Sequence, residues 1–277
     1  MNEQENPSTQ VEFNPVELAI GSARMTMHIG GRGRPIVLFH SLLADRTSFD
    51  LIVDELATTH RVIALNLPGF DGSDPIDGSL EDVADHIAKA IAALQLDDKA
   101  IFLGNGYGGF VALLTAIRHP ALVERLVLAD CGAVFSEPGR AAFRGMSAAA
   151  EKAGLEAIAD VAMRRLFAPA YQAEHPELIV RRKQRFLAID VPTFHRACAA
   201  LAGLDLRLQL VSVNVPVLVL VGELDEATPP PMSRELAAGL QDARLIVLPG
   251  LAHVPQLQAP KAFMQAIGSF LAAGPEA

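Results

Sequence analysis

Proton transfer near neutral pH is the work of imidazoles, so the eight histidines come first. His60, His86, His119, His175 and His195 lie in polar helical or loop stretches and read as surface residues. His28 falls in a weakly apolar stretch near the N-terminus, away from any strand end. Two remain, and both come after apolar runs: His40 directly after Pro35–Phe39, and His253 in Gly250-Leu-Ala-His253 shortly after Leu245–Leu248. His40 reads first as a structural hydrogen-bonder. Carboxylates occur in equivalent places, Asp130 after Leu126–Ala129 and Asp225 after Val217–Val221. Ser41 follows His40 and is a hydroxyl that a neighbouring base could activate, provided it lies within hydrogen-bond reach of that base. Its ordinary reading is a loop serine whose backbone matters more than its side chain. A last junction, after Ala100–Leu103, reads Gly104-Asn105-Gly106-Tyr107-Gly108-Gly109, where glycines let strand and helix backbones approach too closely for a Cβ atom. Farther along, Arg164, Arg165, Arg181, Arg182, Lys183 and Arg185 recur at helical spacings that put most of them on a solvated face. One of them turned inward would clamp a carboxylate bidentately.

These residues need a frame that gathers strand ends. Pro35–Phe39, Arg61–Asn66, Ala100–Leu103, Leu126–Ala129, Val217–Val221 and Leu245–Leu248 are near-continuous Val/Ile/Leu strands. Helical patterns separate them, including one from Leu80 that opens with a Ser79…Asp82 capping pair. Helices are also expected over Phe110–Arg118, Pro231–Leu240 and Pro260–Ala272. Such alternation means a mostly parallel sheet with helices on both faces, preceded by an antiparallel edge hairpin within Val11–Ile29. In parallel sheets ligands bind outside the carboxyl ends of the strands, which is where every junction residue above is expected. From about Cys131 to Leu210 the apolar spacing is helical throughout, as in Leu155, Ile158, Val161, Ala162 and Leu166. The expected organisation is a flexible tail over 1–14, a core built from 15–130 and 211–277, and a helical cap over 131–210 that belongs to the same folding unit.

The junction motifs together resemble the α/β-hydrolase superfamily. Gly104–Gly108 resembles its nucleophile elbow, G-x-S-x-G, with Gly106 at the position of the serine. In the same likeness Asp225 takes the place of the triad acid and His253 that of the base, in the order nucleophile, acid, histidine. Asp130 is a second seat for the acid, seen in some relatives and ranked below Asp225. His40-Ser41-Leu42 matches the oxyanion segment, which implies that the backbone N–H groups of Leu42 and Tyr107 hold a developing oxyanion. Leu67–Ser73 is similar to the loop after the next strand. Asn105 and Tyr107 are expected to pack under the turn, away from the pocket floor. Within the superfamily the chain is most similar to 3-oxoadipate enol-lactonase relatives, over Pro35–Leu271. His40–Asp45, Gly222–Pro230 and the segments Gly154–Asp160 and Phe167–Ala170 carry that likeness, and Arg165 resembles a cap arginine of those enzymes. The chain departs from them at Gly106 and in having no tryptophan.

Gly106 reads as a natural replacement, with or without another residue taking over, as an engineered Ser→Gly change, or as an error in the sequence. Asn105 and Tyr107 also depart from the commonest wording, Gly-His-Ser-Met-Gly, which favours natural divergence, since an engineer would change only one residue. The expectation is a hydrolase lineage acting on a small ester or lactone, with a serine-based acyl-enzyme excluded at position 106. Alternatives are a cofactor-free, non-covalent lyase or hydrolase using His253 as general base, and a non-catalytic small-molecule binder. Site expectations are Gly106, Asp225 and His253 for catalysis, Leu42 and Tyr107 for the oxyanion, and His40, Ser41 and Arg165 for substrate, with no metal and no cofactor.

Totals narrow the partners. The chain has 277 residues, 51% of them hydrophobic and 20% charged, which suits one filled α/β domain with an insertion. A net charge of −9 argues against nucleic acid and anionic membranes, both of which need a basic face. No window is apolar enough to span a bilayer, and the polar N-terminus is no secretion signal, so a cytoplasmic protein with a small-molecule ligand is expected. Association of identical copies is left open. Cys131 and Cys198 read as buried free thiols.

Overall fold

Apolar residues on the central strands point alternately to two different cores, the period-two signature of a sheet buried on both faces. A computed structural model describes residues 11–274 and contains one eight-stranded sheet. Its strands are β1 (Asn14–Ile20), β2 (Ala23–Gly30), β3 (Arg34–Phe39), β4 (His60–Leu65), β5 (Ala100–Asn105), β6 (Val123–Ala129), β7 (Val217–Gly222) and β8 (Ala243–Leu248). The order across the sheet is β1-β2-β4-β3-β5-β6-β7-β8. β1, β2 and β4 pair antiparallel, and every pairing from β4 to β8 is parallel.

The helices are α1 (Val53–Ala57), α2 (Leu80–Ala93), α3 (Tyr107–Arg118), α4 (Glu137–Ala153), α5 (Ala159–Leu166), α6 (Pro169–Glu174), α7 (Pro176–Leu187), α8 (Val191–Gly203), α9 (Pro230–Gly239), α10 (Pro255–Gln258) and α11 (Pro260–Ala272). Val37, Phe39, Phe102, Leu126 and Val219 face a core shared with α2, α3 and α9. Ile36, Leu38, Ile101, Leu103, Val127 and Leu218 face the other core, closed by α1 and α11. Residues between β6 and β7 form the helices α4–α8, and their apolar faces (Phe143, Ala162, Phe186, Phe194) join the first core without a break. Among the described residues no helix is long and apolar enough to cross a membrane.

Several expectations shift in detail. Much of the expected tail, residues 1–10, lies outside the described residues, and Val11 and Phe13 pack against the second core instead of hanging free. Helix α3 starts at Tyr107, earlier than Phe110, because the glycines after Asn105 turn the chain at once. The Ser79–Asp82 pair is a full capping box at the start of α2. His60 is buried, not exposed: it opens β4 and pairs with Arg34 across the sheet, and burial lowers its pKa. Arg182 is buried as well. It leaves the solvated face of α7 to donate to Thr47 (2.6 Å) and to lie near Asp45. Both cysteines are free and buried, and burial pushes the Cys198 thiol up to about 12.

Candidate active site

The strand order reverses between β3 and β5, since β4 lies on one side of this pair and β6 on the other. Such a reversal opens a crevice at the carboxyl ends of the two strands. The segments that leave them are His40–Leu42 and Gly106–Tyr107. Gly106 has φ 54° and ψ −122°, a backbone state that suits glycine and costs other residues of order 1–3 kcal/mol. Its N–H donates to Ala129 O (2.9 Å), and its carbonyl receives the N–H groups of Gly109 and Phe110, so the turn is fixed on three sides. A Cβ at Gly108 would run into the carbonyl oxygens of Phe39 and His40, so the first turn of α3 lies against the end of β3. That contact brings Tyr107 and Leu42 together on one cavity wall. Neither of their backbone N–H groups has an acceptor among the described residues. Both residues border the same cavity, the placement an oxyanion hole requires of its donors.

Opposite them stands His253. Its Nδ1 lies 2.9 Å from Asp225 Oδ2, with both residues buried. Asp225 also accepts from the backbone N–H groups of Ala227 (2.8 Å) and Thr228 (3.1 Å) and from Thr228 Oγ1 (2.6 Å). Burial alone would raise the Asp225 pKa, but the facing imidazole and these hydrogen bonds hold it below the usual carboxylate value. An ionised Asp225 fixes the proton of the ring on Nδ1 and leaves Nε2 as an acceptor toward the cavity. Asn105 Nδ2 donates to His253 O (2.9 Å) and Gln256 Nε2 donates to Asn105 Oδ1 (3.1 Å), so the histidine backbone is held too.

Asp130 stands beside this pair and accepts from Gly222 N–H (2.8 Å). Burial, then the Asp225 charge, pushes its pKa well above the usual carboxylate value. It is Asp225 that bonds the ring. Asp130, Asp225 and His253 place one polar atom each within 4.8 Å of one another, a spacing a metal ion could use. His253 and Asp225 already bond each other, and Asp130 accepts from Gly222 N–H, so an ion would compete with those bonds.

One expected substrate contact, His40, does not line the cavity. His40 Nε2 accepts the Leu67 N–H (3.0 Å), which assigns the proton to Nδ1, and Nδ1 then donates to Ser41 O (3.0 Å). Burial lowers the His40 pKa, so it is a neutral brace for the loop. Ser41 Oγ lies 3.4 Å from His253 Nε2, at the cavity floor. Tyr107 is buried, and it borders both the floor cavity and a cleft beneath α8 with Thr193 and Ala197.

The floor cavity has a volume of about 30 Å³, room for one water-sized group. Its upper walls are Phe143 and Met146 of α4, Arg165 of α5 and Leu201 of α8. Arg165, Phe135 and Ala227 also line an outer cleft of about 690 Å³. Arg165 stands where the two spaces meet, stacked 6.0 Å from the Phe143 ring, with no ion-pair partner among the described residues. Sequence reasoning assigned no part to Thr228, Asn105 as a brace, Gln256 or the apolar walls. Only Thr228 had a local signal: Asp225-Glu226-Ala227-Thr228 is an Asp followed at two and three residues by N–H groups it can accept.

An acid–histidine pair, facing a glycine elbow at the switch point of a parallel sheet, defines a hydrolase-like α/β protein. The chain belongs to the alpha/beta hydrolase family, whose model matches residues 36–266. It is 28% identical to the putative carbamate hydrolase RutD of Agrobacterium fabrum, over 88% of this chain and 98% of that protein. Identity to a pimeloyl-[acyl-carrier protein] methyl ester esterase of Neisseria meningitidis is 32%, over 83% of this chain and 90% of the relative. Among solved structures, the enol-lactonase of Burkholderia xenovorans superposes with a TM-score of 0.88 at 25% identity, covering 93% of this chain and all of that one.

Proposed function

We propose that this protein hydrolyses small carboxylic esters or lactones by base-driven chemistry at His253, with no nucleophile supplied by residue 106. Asp225 orients His253 and stabilises the imidazolium, while the N–H groups of Leu42 and Tyr107 take the charge that develops on the carbonyl oxygen. Residues 131–210 act as a cap that keeps water from the floor, and Arg165 receives a carboxylate of the substrate at the mouth of the inner space. The observation that carries this reading is the 2.9 Å His253–Asp225 bond, with the free face of the ring turned to a cavity that holds two unpaired N–H groups. The enol-lactonase likeness supports the substrate class.

A panel of short esters and lactones tests it, comparing the chain with His253→Ala and Asp225→Asn. Turnover should appear in the unsubstituted chain and vanish in His253→Ala. Asp225→Asn should lose up to about 10⁴-fold in kcat, because the amide favours the wrong ring tautomer. Turnover that is indifferent to His253→Ala would end the proposal. So would a ligand that binds tightly in the floor cavity with no turnover of any panel member.

A further inference from the structure

We infer that Ser41, on the loop after β3, is the hydroxyl that His253 activates, so that the acyl-enzyme forms there and not at the elbow. The inference rests on the base-driven reading above and names its nucleophile. Three observations carry it. First, Ser41 Oγ lies 3.4 Å from His253 Nε2, at the outer edge of hydrogen-bond distance and within the looser range usual before substrate binds. Second, a Cβ at Gly106 would lie 2.6 Å from Ser41 Oγ and 2.7 Å from His253 Nε2. The Ser41 hydroxyl and the ring therefore meet in the space that an elbow side chain would fill. Third, the Ser41 backbone is braced: its carbonyl accepts from His40 Nδ1 (3.0 Å) and from Ala44 N–H (3.2 Å). A nucleophile on a fixed backbone, in reach of a base that is itself oriented, meets the geometric requirement for covalent catalysis.

The oxyanion donors suit this exchange. An elbow nucleophile would have the N–H of the next residue, Tyr107, as its near donor and Leu42 N–H as the far one. Ser41 has the same pair in reverse, Leu42 next in sequence and Tyr107 across the crevice. In the first half-reaction His253 Nε2 takes the Ser41 proton and Oγ bonds to the ester carbonyl carbon. The carbon–oxygen bond to the leaving alkoxide then breaks, and His253 returns the proton to that oxygen. In the second half-reaction His253 deprotonates a water, which attacks the Ser41 acyl ester. The acid is released and the proton returns to Ser41. Ester plus water gives acid plus alcohol, with nothing left over.

The test uses the whole chain with 4-nitrophenyl acetate and, separately, a fluorophosphonate. Burst kinetics and peptide mass mapping locate any covalent adduct. One adduct on Ser41, absent from Ser41→Ala and His253→Ala, with turnover falling about 10³-fold or more in each, is the expected result. Hydrolysis that needs His253 but survives in Ser41→Ala would overturn the inference and leave the base-driven reading standing. An adduct on another residue would also overturn it. Should Ser41→Ala not fold, the mapped site in the unsubstituted chain decides, and Ser41→Cys, which keeps a nucleophile, should carry the acyl group as a thioester.

Discussion

At the residue scale the site is a contest between two buried carboxylates, and only one of them is ionised without cost. Asp225 is surrounded by donors and lies below its usual value, whereas Asp130, with fewer donors and Asp225 beside it, is held well above. A raised value in the folded state means that the folded protein keeps a proton the unfolded chain has already released. Its stability cost is therefore absent below about pH 4 and grows as pH rises toward the folded-state value. Asp130→Asn removes that cost, and its side-chain oxygen still accepts the Gly222 N–H. The variant's gain in urea midpoint over the parent should be larger at pH 8 than at pH 4. An equal shift at both values would mean that Asp130 carries no such burden. Asp225, Asp130, His253 and Ser41 were all legible from one rule, that chemistry sits just after strands. Which carboxylate bonds the ring was indicated only by the family likeness, which ranked Asp225 first; by position alone Asp130 and Asp225 both follow apolar runs, and only the β6–β7 pairing sets them side by side. Asn105 and Gln256 brace His253 across more than 140 residues of chain, a contact no local pattern encodes.

At the element scale the loop after β3 and helix α7 are locked by buried charge. Asp45 accepts from Thr47 N–H (3.0 Å) and from the Thr47 hydroxyl, which caps the short turn Arg46–Phe49. Arg182 (3.6 Å) and Arg185 (3.5 Å) reach it from α7. Arg182 and Asp45 are buried, so removing one leaves the other uncompensated, a far larger penalty than losing a surface pair. Asp45→Ala should cost about 3 kcal/mol or more in urea unfolding. Arg185→Ala, at a half-exposed position, should cost well under that. Equal effects would mean that the lock is an ordinary surface pair. The parallel strands and most helices were readable, because a two-sided sheet writes continuous apolar runs into the sequence. The inward turn of Arg182 was hidden, since its neighbours Arg181, Lys183 and Arg185 make that stretch of α7 look like a solvated face. Its reason is tertiary: Asp45 and Thr47 stand opposite.

For the molecule as a whole, the decisive feature is that the first core runs without a break from the sheet into the helices between β6 and β7. A segment whose apolar face is shared with the sheet cannot leave without exposing both, so it should unfold together with the sheet. A chain of this length is not guaranteed to do so, since larger proteins often unfold in stages. The sequence offers a direct check, because it has two tyrosines and no tryptophan. Tyr107 lies at the elbow under α8, and Tyr171 of α6 donates its hydroxyl to Leu257 O of α10 (3.2 Å). Both rings therefore read the seam between the helical segment and the sheet, one from each side. Near-ultraviolet signals from the tyrosines and the far-ultraviolet signal from the backbone should share one urea midpoint, and Tyr107→Phe or Tyr171→Phe should leave the remaining ring reporting that same midpoint. If the helical segment came away first, the tyrosine signals would change at lower urea than the backbone signal, and the shared core would have to be redrawn as two.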